Sequence, residues 1–143
     1  MAGIVLIRDV MSKEVKVVRT DTSVKEVVAT MNKFDIGSII VMQGDRAVGI
    51  ITERDILRRQ VEPCLAPETL TARQVMTSPV ITIDETASIE EAAKLMAKKR
   101  AKRLPVMSNG KIVGIITFTD IVFKVPAMLT MLEELVRPFH RKY

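Results

Sequence analysis

A chain of 143 residues that is 48% apolar and 27% charged, with only six Gly and six Pro, has the composition of a folded domain and excludes a disordered chain. Its single cysteine, Cys64, excludes an internal disulfide framework and fits a reducing cytoplasm. The formal net charge of +5 leans toward an anionic partner, while no Trp, one Tyr and four Phe leave few stacking platforms for single-stranded nucleic acid.

The apolar run Ile4–Ile7 is too short to span a membrane and lacks the layout of a signal peptide, so a cytoplasmic protein with no membrane partner is expected. From Arg8 onward the chain repeats itself. Residues 8–57 align with 73–122 without a gap at a shift of 65, sharing Val10/Val75, Met11/Met76, Ser23/Ser88, Glu26/Glu91, Met31/Met96 and Val48–Thr52 against Val113–Thr117. Each repeat opens with an entry segment (Val10-Met11, Val75-Met76) and an extended stretch (Val15–Val18, Val80–Ile83). A capping box follows, Ser23-x-x-Glu26 or Ser88-x-x-Glu91, and starts a helix. That helix carries the apolar stripe Val24, Val27, Val28, Met31 or Ile89, Ala92, Ala93, Met96. Two strands come next, Ile39–Met42 and Ala47–Ile51 around Gln43-Gly44-Asp45-Arg46, or Leu104–Met107 and Ile112–Ile116 around Asn109-Gly110. Thr52-x-x-Asp55 or Thr117-x-x-Asp120 then opens a closing helix.

The expected fold class is therefore α/β (α+β): two βαββα repeats packed sheet to sheet with pseudo-two-fold symmetry, since one copy of about 50 residues buries too little to stand alone. The expected boundaries are repeat 1 at 1–60, a linker at 61–72, repeat 2 at 73–125 and a C-terminal segment at 126–143; the stretch 58–72, with Pro63 and Pro67, reads as the connector. In that last segment Met128, Leu129, Leu132, Leu135 and Val136 recur at helical spacing before Pro138 and a basic tail.

The doubled run Gly49-Ile50-Ile51-Thr52-Glu53-Arg54-Asp55 and Gly114-Ile115-Ile116-Thr117-Phe118-Thr119-Asp120 admits two readings. Thr and Asp could serve only as helix caps, worth about 0.5–2 kcal/mol. Alternatively, the helix start beside a strand exit is a corner for an anionic or hydroxyl-rich ligand. The in-register duplication favours the second.

A tandem βαββα repeat ending in this motif resembles the cystathionine-β-synthase (CBS) domain pair over roughly residues 8–124. The resemblance implies a non-catalytic regulatory module that binds an adenine nucleotide (AMP, ADP or ATP) as regulatory ligand, with no obligatory cofactor, acts on a separate effector protein and forms a homodimer. It implies two composite sites. In the first, Asp55 takes the ribose hydroxyls, Thr52 and Arg54 face the phosphate, Met76, Thr77, Pro79, Val80 and Ile81 face the adenine, and Ala101, Lys102 and Arg103 supply phosphate contacts. The second uses Thr117, Thr119 and Asp120 with Met11, Val15 and Lys16 and with Ile36, Gly37 and Ser38. Because Gly37-Ser38 replaces Lys102-Arg103 and Thr119 replaces Arg54, the first site is expected to be the stronger for a phosphorylated ligand. A module for S-adenosylmethionine or NAD(H), and a basic nucleic-acid-binding protein, remain the alternatives.

The cluster Lys98–Arg103 divides between a solvated helix end at Lys98 and Lys99 and a phosphate role for Lys102 and Arg103, with a nucleic-acid patch as the third reading. The nine methionines read as core filling, and His140 has no neighbours at metal-ligand spacing, so no metal site and no catalytic residue are expected. A nucleotide hydrolase is disfavoured because no Walker-type lysine loop is present. Ile56, Leu57, Ile121, Val122 and the Met128–Val136 stripe are the expected dimer surface.

Overall fold

Two three-stranded sheets carry the fold, each followed by helices, in a computed structural model that describes residues 3–128 and Glu133. The described chain divides into two compact units: a middle unit, Lys16–Val80, and a split unit made of the residues up to Val15 and those from Ile81 onward.

In the middle unit β1 (Val17–Arg19) runs parallel to β2 (Ser38–Gln43), which pairs antiparallel with β3 (Arg46–Thr52). Helix α1 (Val24–Lys33) starts where expected, with Ser23 Oγ accepting the Glu26 N–H at 3.2 Å, and it buries Val24, Val27 and Met31. The predicted four-residue turn tightens to Gly44-Asp45, because Gly44 takes a left-handed φ of 61° that a two-residue hairpin loop favours. Helix α2 (Glu53–Ile56) continues into a π-helical turn, Leu57–Val61, and α3 (Ala72–Val75) follows. What reads in sequence as a connector from residue 58 is thus partly helical.

The split unit repeats the arrangement with β4 (Ile83–Asp84), α4 (Ile89–Lys99), β5 (Arg103–Ser108), β6 (Lys111–Thr117) and α5 (Phe118–Lys124). Asn109 and Gly110 both take positive φ, 52° and 76°, as their dipeptide predicts. Strand β4 is one residue shorter than β1. The position of β5 that matches Ile40, which pairs with Val17, is Pro105; it has no N–H to donate, and β4 pairs only with Val106 and Met107. Both first strands begin later than the predicted extended stretches, at Val17 and Ile83.

The entry segments decide how sequence repeats become compact units. Thr77 from the second repeat exchanges two backbone hydrogen bonds with Ile50 at 3.0 and 2.8 Å, and Thr71 bridges Ser23, all within the middle unit. Ser12 does the same with Ile115 at 2.9 and 2.9 Å, and Leu6 bridges Ser88, within the split unit. Each unit therefore holds the body of one repeat and the entry segment of the other. Each unit has its own apolar cluster. Leu70, Ala72 and Val75 join Val24, Val27, Ile39, Val41 and Ile51 in the middle unit. Ile7 and Val10 join Ile89, Met96, Leu104, Ile116 and Ile121 in the split unit.

This burial corrects one expectation: Ile121 is wholly buried in its own unit's cluster and cannot serve a dimer surface, whereas Leu57 is 60% exposed. The C-terminal stripe Leu129–Val136 and the basic tail with His140 lie outside the described residues, Glu133 excepted. Met128 ends a short 3-10 turn, Pro126–Met128.

Beside β4 the exposed carboxylate of Asp84 accepts the Thr86 hydroxyl at 2.6 Å and the Thr86 backbone N–H at 2.9 Å. The hydroxyl first, and then the N–H, hold the Asp84 carboxyl below its ordinary 3.8. A depressed folded value stabilises at neutral pH and is lost as pH falls below 3.8 through that lower value. Thr86→Ala is expected to return the Asp84 titration, followed by carboxyl NMR, upward toward 3.8 and to flatten this part of the acid-stability curve.

Candidate functional site

Each closing helix begins where the last hairpin strand ends, and the Thr-x-x-Asp motif makes the corner. In the middle unit Thr52 ends β3 in an extended conformation (φ −109°, ψ 168°) and caps α2. Its Oγ1 accepts the Asp55 N–H at 3.3 Å; its own N–H and hydroxyl donate to Asp55 Oδ2 at 2.9 and 3.1 Å. One carboxylate oxygen is thus committed to the cap.

The other oxygen faces a different segment. Asp55 Oδ1 accepts the hydroxyl of Thr77, 22 positions away, at 2.9 Å, and the Arg59 guanidinium stands 3.9 Å from it. Arg59 also donates to the carbonyls of Val75 (2.9 Å) and Met76. Asp55 itself is buried, at 7% exposure, while Thr77 and Pro79 are exposed and Met76 and Val80 half-buried. Burial of a carboxylate is costly unless it is hydrogen-bonded and paired, and these three donors with the nearby guanidinium supply that requirement.

The entry segment reaches this corner because Gly49 lets it. A Cβ on Gly49 would stand 2.4 Å from Met76 Sδ, so any side chain there would have to push that methionine side chain aside. Gly114 has the same duty toward Met11, at 2.5 Å from its Sδ.

In the split unit Thr117 N–H donates to Asp120 Oδ2 at 3.1 Å, and Asp120 N–H donates to Thr117 Oγ1 at 3.0 Å. Lys124, the counterpart of Arg59 in the register of 65, donates to the Val10 carbonyl at 2.9 Å. Asp120 is half-buried and Thr119 exposed.

Of the residues assigned to the first site, the structure brings Thr52, Asp55, Met76 and Thr77 together in the middle unit, with Arg54 exposed on α2. Ile81, Ala101, Lys102 and Arg103 belong to the split unit. There Arg103 pairs with Thr117 across the hairpin, the Lys102 carbonyl accepts the Phe118 N–H at 2.8 Å, and Lys102 Nζ lies 5.9 Å from the Phe118 ring centroid. Of the residues assigned to the second site, Thr117, Thr119, Asp120, Met11 and half-buried Val15 lie in the split unit. Lys16, Ile36, Gly37 and Ser38 lie in the middle unit, where Lys16 Nζ sits 4.2 Å from the Phe34 ring centroid. There Ser38 pairs with Thr52, and the Gly37 carbonyl accepts the Glu53 N–H at 3.2 Å. A depression of about 340 Å³ in this unit is bordered by Met31, Ile36, Glu53 and Ile56, and of the residues assigned to the two ligand sites only Ile36 borders it.

Sequence reasoning passed over Arg59, Lys124 and Ser12. The signal existed: carrying the register two positions past Leu57/Val122 aligns Arg59 with Lys124, both basic. Among the described residues no group of three His, Cys, Asp or Glu side chains is placed to hold a metal ion.

Comparison with known proteins shows the family of the two repeats. The family model described as the CBS domain matches twice, at residues 7–62 and 72–127. An uncharacterized protein of Methanopyrus kandleri is 38% identical over 125 residues; the match covers 86% of this chain and 63% of that protein, so the chain spans less than two thirds of that relative. A conserved protein of Pyrococcus horikoshii superposes with a TM-score of 0.76 at 34% identity, covering 87% of this chain and 94% of that one. Hypoxic Response Protein I, whose structure has two coordinated zinc ions, superposes with a TM-score of 0.77 at 31% identity, covering 85% and 99%.

Proposed function

The chain belongs to the CBS domain family, and from that premise we propose that it is a non-catalytic regulatory module which binds an adenosine-containing nucleotide, AMP, ADP or ATP, and passes a conformational change to a partner protein. The observation that carries this reading is the division of labour on Asp55. Oδ2 holds the helix start, while Oδ1 points to an exposed segment and accepts a hydroxyl from it at 2.9 Å. A ribose hydroxyl is the same kind of donor, and a carboxylate is an acceptor-only group suited to it.

The surroundings suit the rest of such a ligand. Exposed Arg54, one residue before Asp55, offers a guanidinium to phosphate, and half-buried Met76 and Val80 offer apolar surface to a purine. Lys102 and Arg103 are assigned to phosphate by the family resemblance. Binding alone suffices for regulation, because couplings between a ligand and a partner are typically about 1–3 kcal/mol. Leu57 and Phe123, at 60% and 79% exposure, support self-association as a homodimer.

Calorimetric titration with AMP, ADP, ATP, S-adenosylmethionine and NADH tests the reading. Asp55→Asn keeps an acceptor for the cap and removes the charge, and it is expected to weaken an adenosine phosphate bound at that corner about ten- to a hundredfold, the worth of a charge-assisted hydrogen bond of about 1.5–3 kcal/mol. Equal affinity in parent, Asp55→Asn and Asp120→Asn would sink it. Binding of nucleic acid that falls steeply with salt and ignores both substitutions would favour the basic-protein alternative.

A further inference from the structure

The two corners are built from the same motif but differ in what already occupies the carboxylate. At Asp55 both oxygens are engaged: Oδ2 by Thr52, Oδ1 by the Thr77 hydroxyl at 2.9 Å with Arg59 at 3.9 Å. At Asp120 only Oδ2 is used, by the Thr117 N–H. Among the described residues nothing donates to Asp120 Oδ1, and no half-buried or buried side-chain oxygen that lacks a partner is shut off from solvent. The difference traces to two positions in the register of 65. Thr77 is matched by Ser12, whose hydroxyl makes no hydrogen bond to Asp120. Arg59 is matched by Lys124, which reaches the Val10 carbonyl but not the carboxylate.

Resting on the reading of a hydroxyl-bearing adenosine ligand, we propose that Thr77 and Arg59 form an internal lock on Asp55, so that such a ligand enters the Asp120 corner first and the Asp55 corner only by displacing the Thr77 hydroxyl. The lock also ties Asp55 to the entry segment. Thr77 is held by both of its backbone hydrogen bonds to Ile50, and Arg59 grips the carbonyls of Val75 and Met76. A ligand hydroxyl that takes Oδ1 removes one of the two side-chain holds on residues 75–77 that converge there. The order of filling is then set by charge and hydroxyl placement, and it is the reverse of the order that counting cations along the chain predicts.

Two measurements on the intact chain test this. The first needs no ligand: a double-mutant cycle of Thr77→Val and Asp55→Asn by urea unfolding. Coupling of about tenfold in the unfolding equilibrium is expected if the hydroxyl is bound to the carboxylate, and additive effects would overturn the lock. Thr77→Ala repeats the cycle should the valine variant fold poorly. The second is calorimetry with ATP and AMP. Asp120→Asn is expected to remove the tighter event in the parent, and Thr77→Val to tighten the weaker event by about three- to tenfold, since a competing donor is gone. If Thr77→Val instead weakens that event, Thr77 is a ligand contact and the lock is wrong. If no nucleotide binds any variant while the cycle still shows coupling, the functional reading fails and the contact within the protein stands.

Discussion

Val75→Asp is expected to unfold the protein at 25 °C or bring it to the edge of unfolding. Val75 is fully buried on α3, within the cluster that contains Val27, Ile51, Leu70 and Ala72. A carboxylate placed there loses its water and meets apolar side chains, so the cost is about 4 kcal/mol or more, against a total stability of about 5–15 kcal/mol for a domain. The matching control is Arg73→Asp, on the same short helix but exposed, which is expected to stay within about 0.5 kcal/mol of the parent. Urea midpoints of the two variants decide the matter. Should they coincide, the entry segment of the second repeat does not dock in the core of the middle unit, and the exchange of entry segments described above is wrong.

The next largest effect concerns the paired glycines, and there the two repeats are expected to part company. An alanine Cβ at 114 would lie 2.5 Å from Met11 Sδ and 2.8 Å from the Ser12 carbonyl oxygen. That carbonyl is pinned by the Ile115 N–H at 2.9 Å, so it cannot retreat without breaking a backbone hydrogen bond. At 49 the close atoms all belong to Met76, with Sδ at 2.4 Å, Cγ at 2.8 Å and Cβ at 3.1 Å, and a methionine side chain can swing aside. Gly114→Ala is therefore expected to cost about 2–3 kcal/mol, at the upper end for overpacking, and Gly49→Ala about 1 kcal/mol. Adding Met76→Ala should recover part of the loss at 49, whereas adding Met11→Ala should leave most of the loss at 114. Equal costs at both positions, or full rescue by Met11→Ala, would show that the Ser12 backbone is not the obstacle.

The glycine pair also shows how far the sequence could be read. Its spacing of 65 announced a duplication, and the pattern around it located hairpins, helix starts and the Thr-x-x-Asp corners. Partner choice was a different matter. Strand β3 could have taken either Met11 or Met76 at its bare glycine, since both repeats offer the same Val-Met pair. Asp55 and Asp120 likewise read as equals, with the advantage given to Asp55 for its neighbouring cations. Hydrogen-bond geometry, with Thr77 donating and Ser12 not, separates them.

What the chain determined by itself is everything that depends on neighbours a few residues apart. Ser23 and Ser88 cap their helices, Asn109-Gly110 turns its hairpin, and apolar residues at helical or alternate spacing choose the faces that are buried. Those outcomes follow from local dihedral preference and periodic burial, which the order of residues encodes directly. The tertiary structure alone decided which entry segment completes which sheet, that Ile121 is core rather than surface, and that the second oxygen of Asp55 is taken by Thr77. Those outcomes join residues 22 to more than 100 positions apart, between segments that carry the same key residues in the same register, and only packing and hydrogen-bond distance can distinguish such candidates.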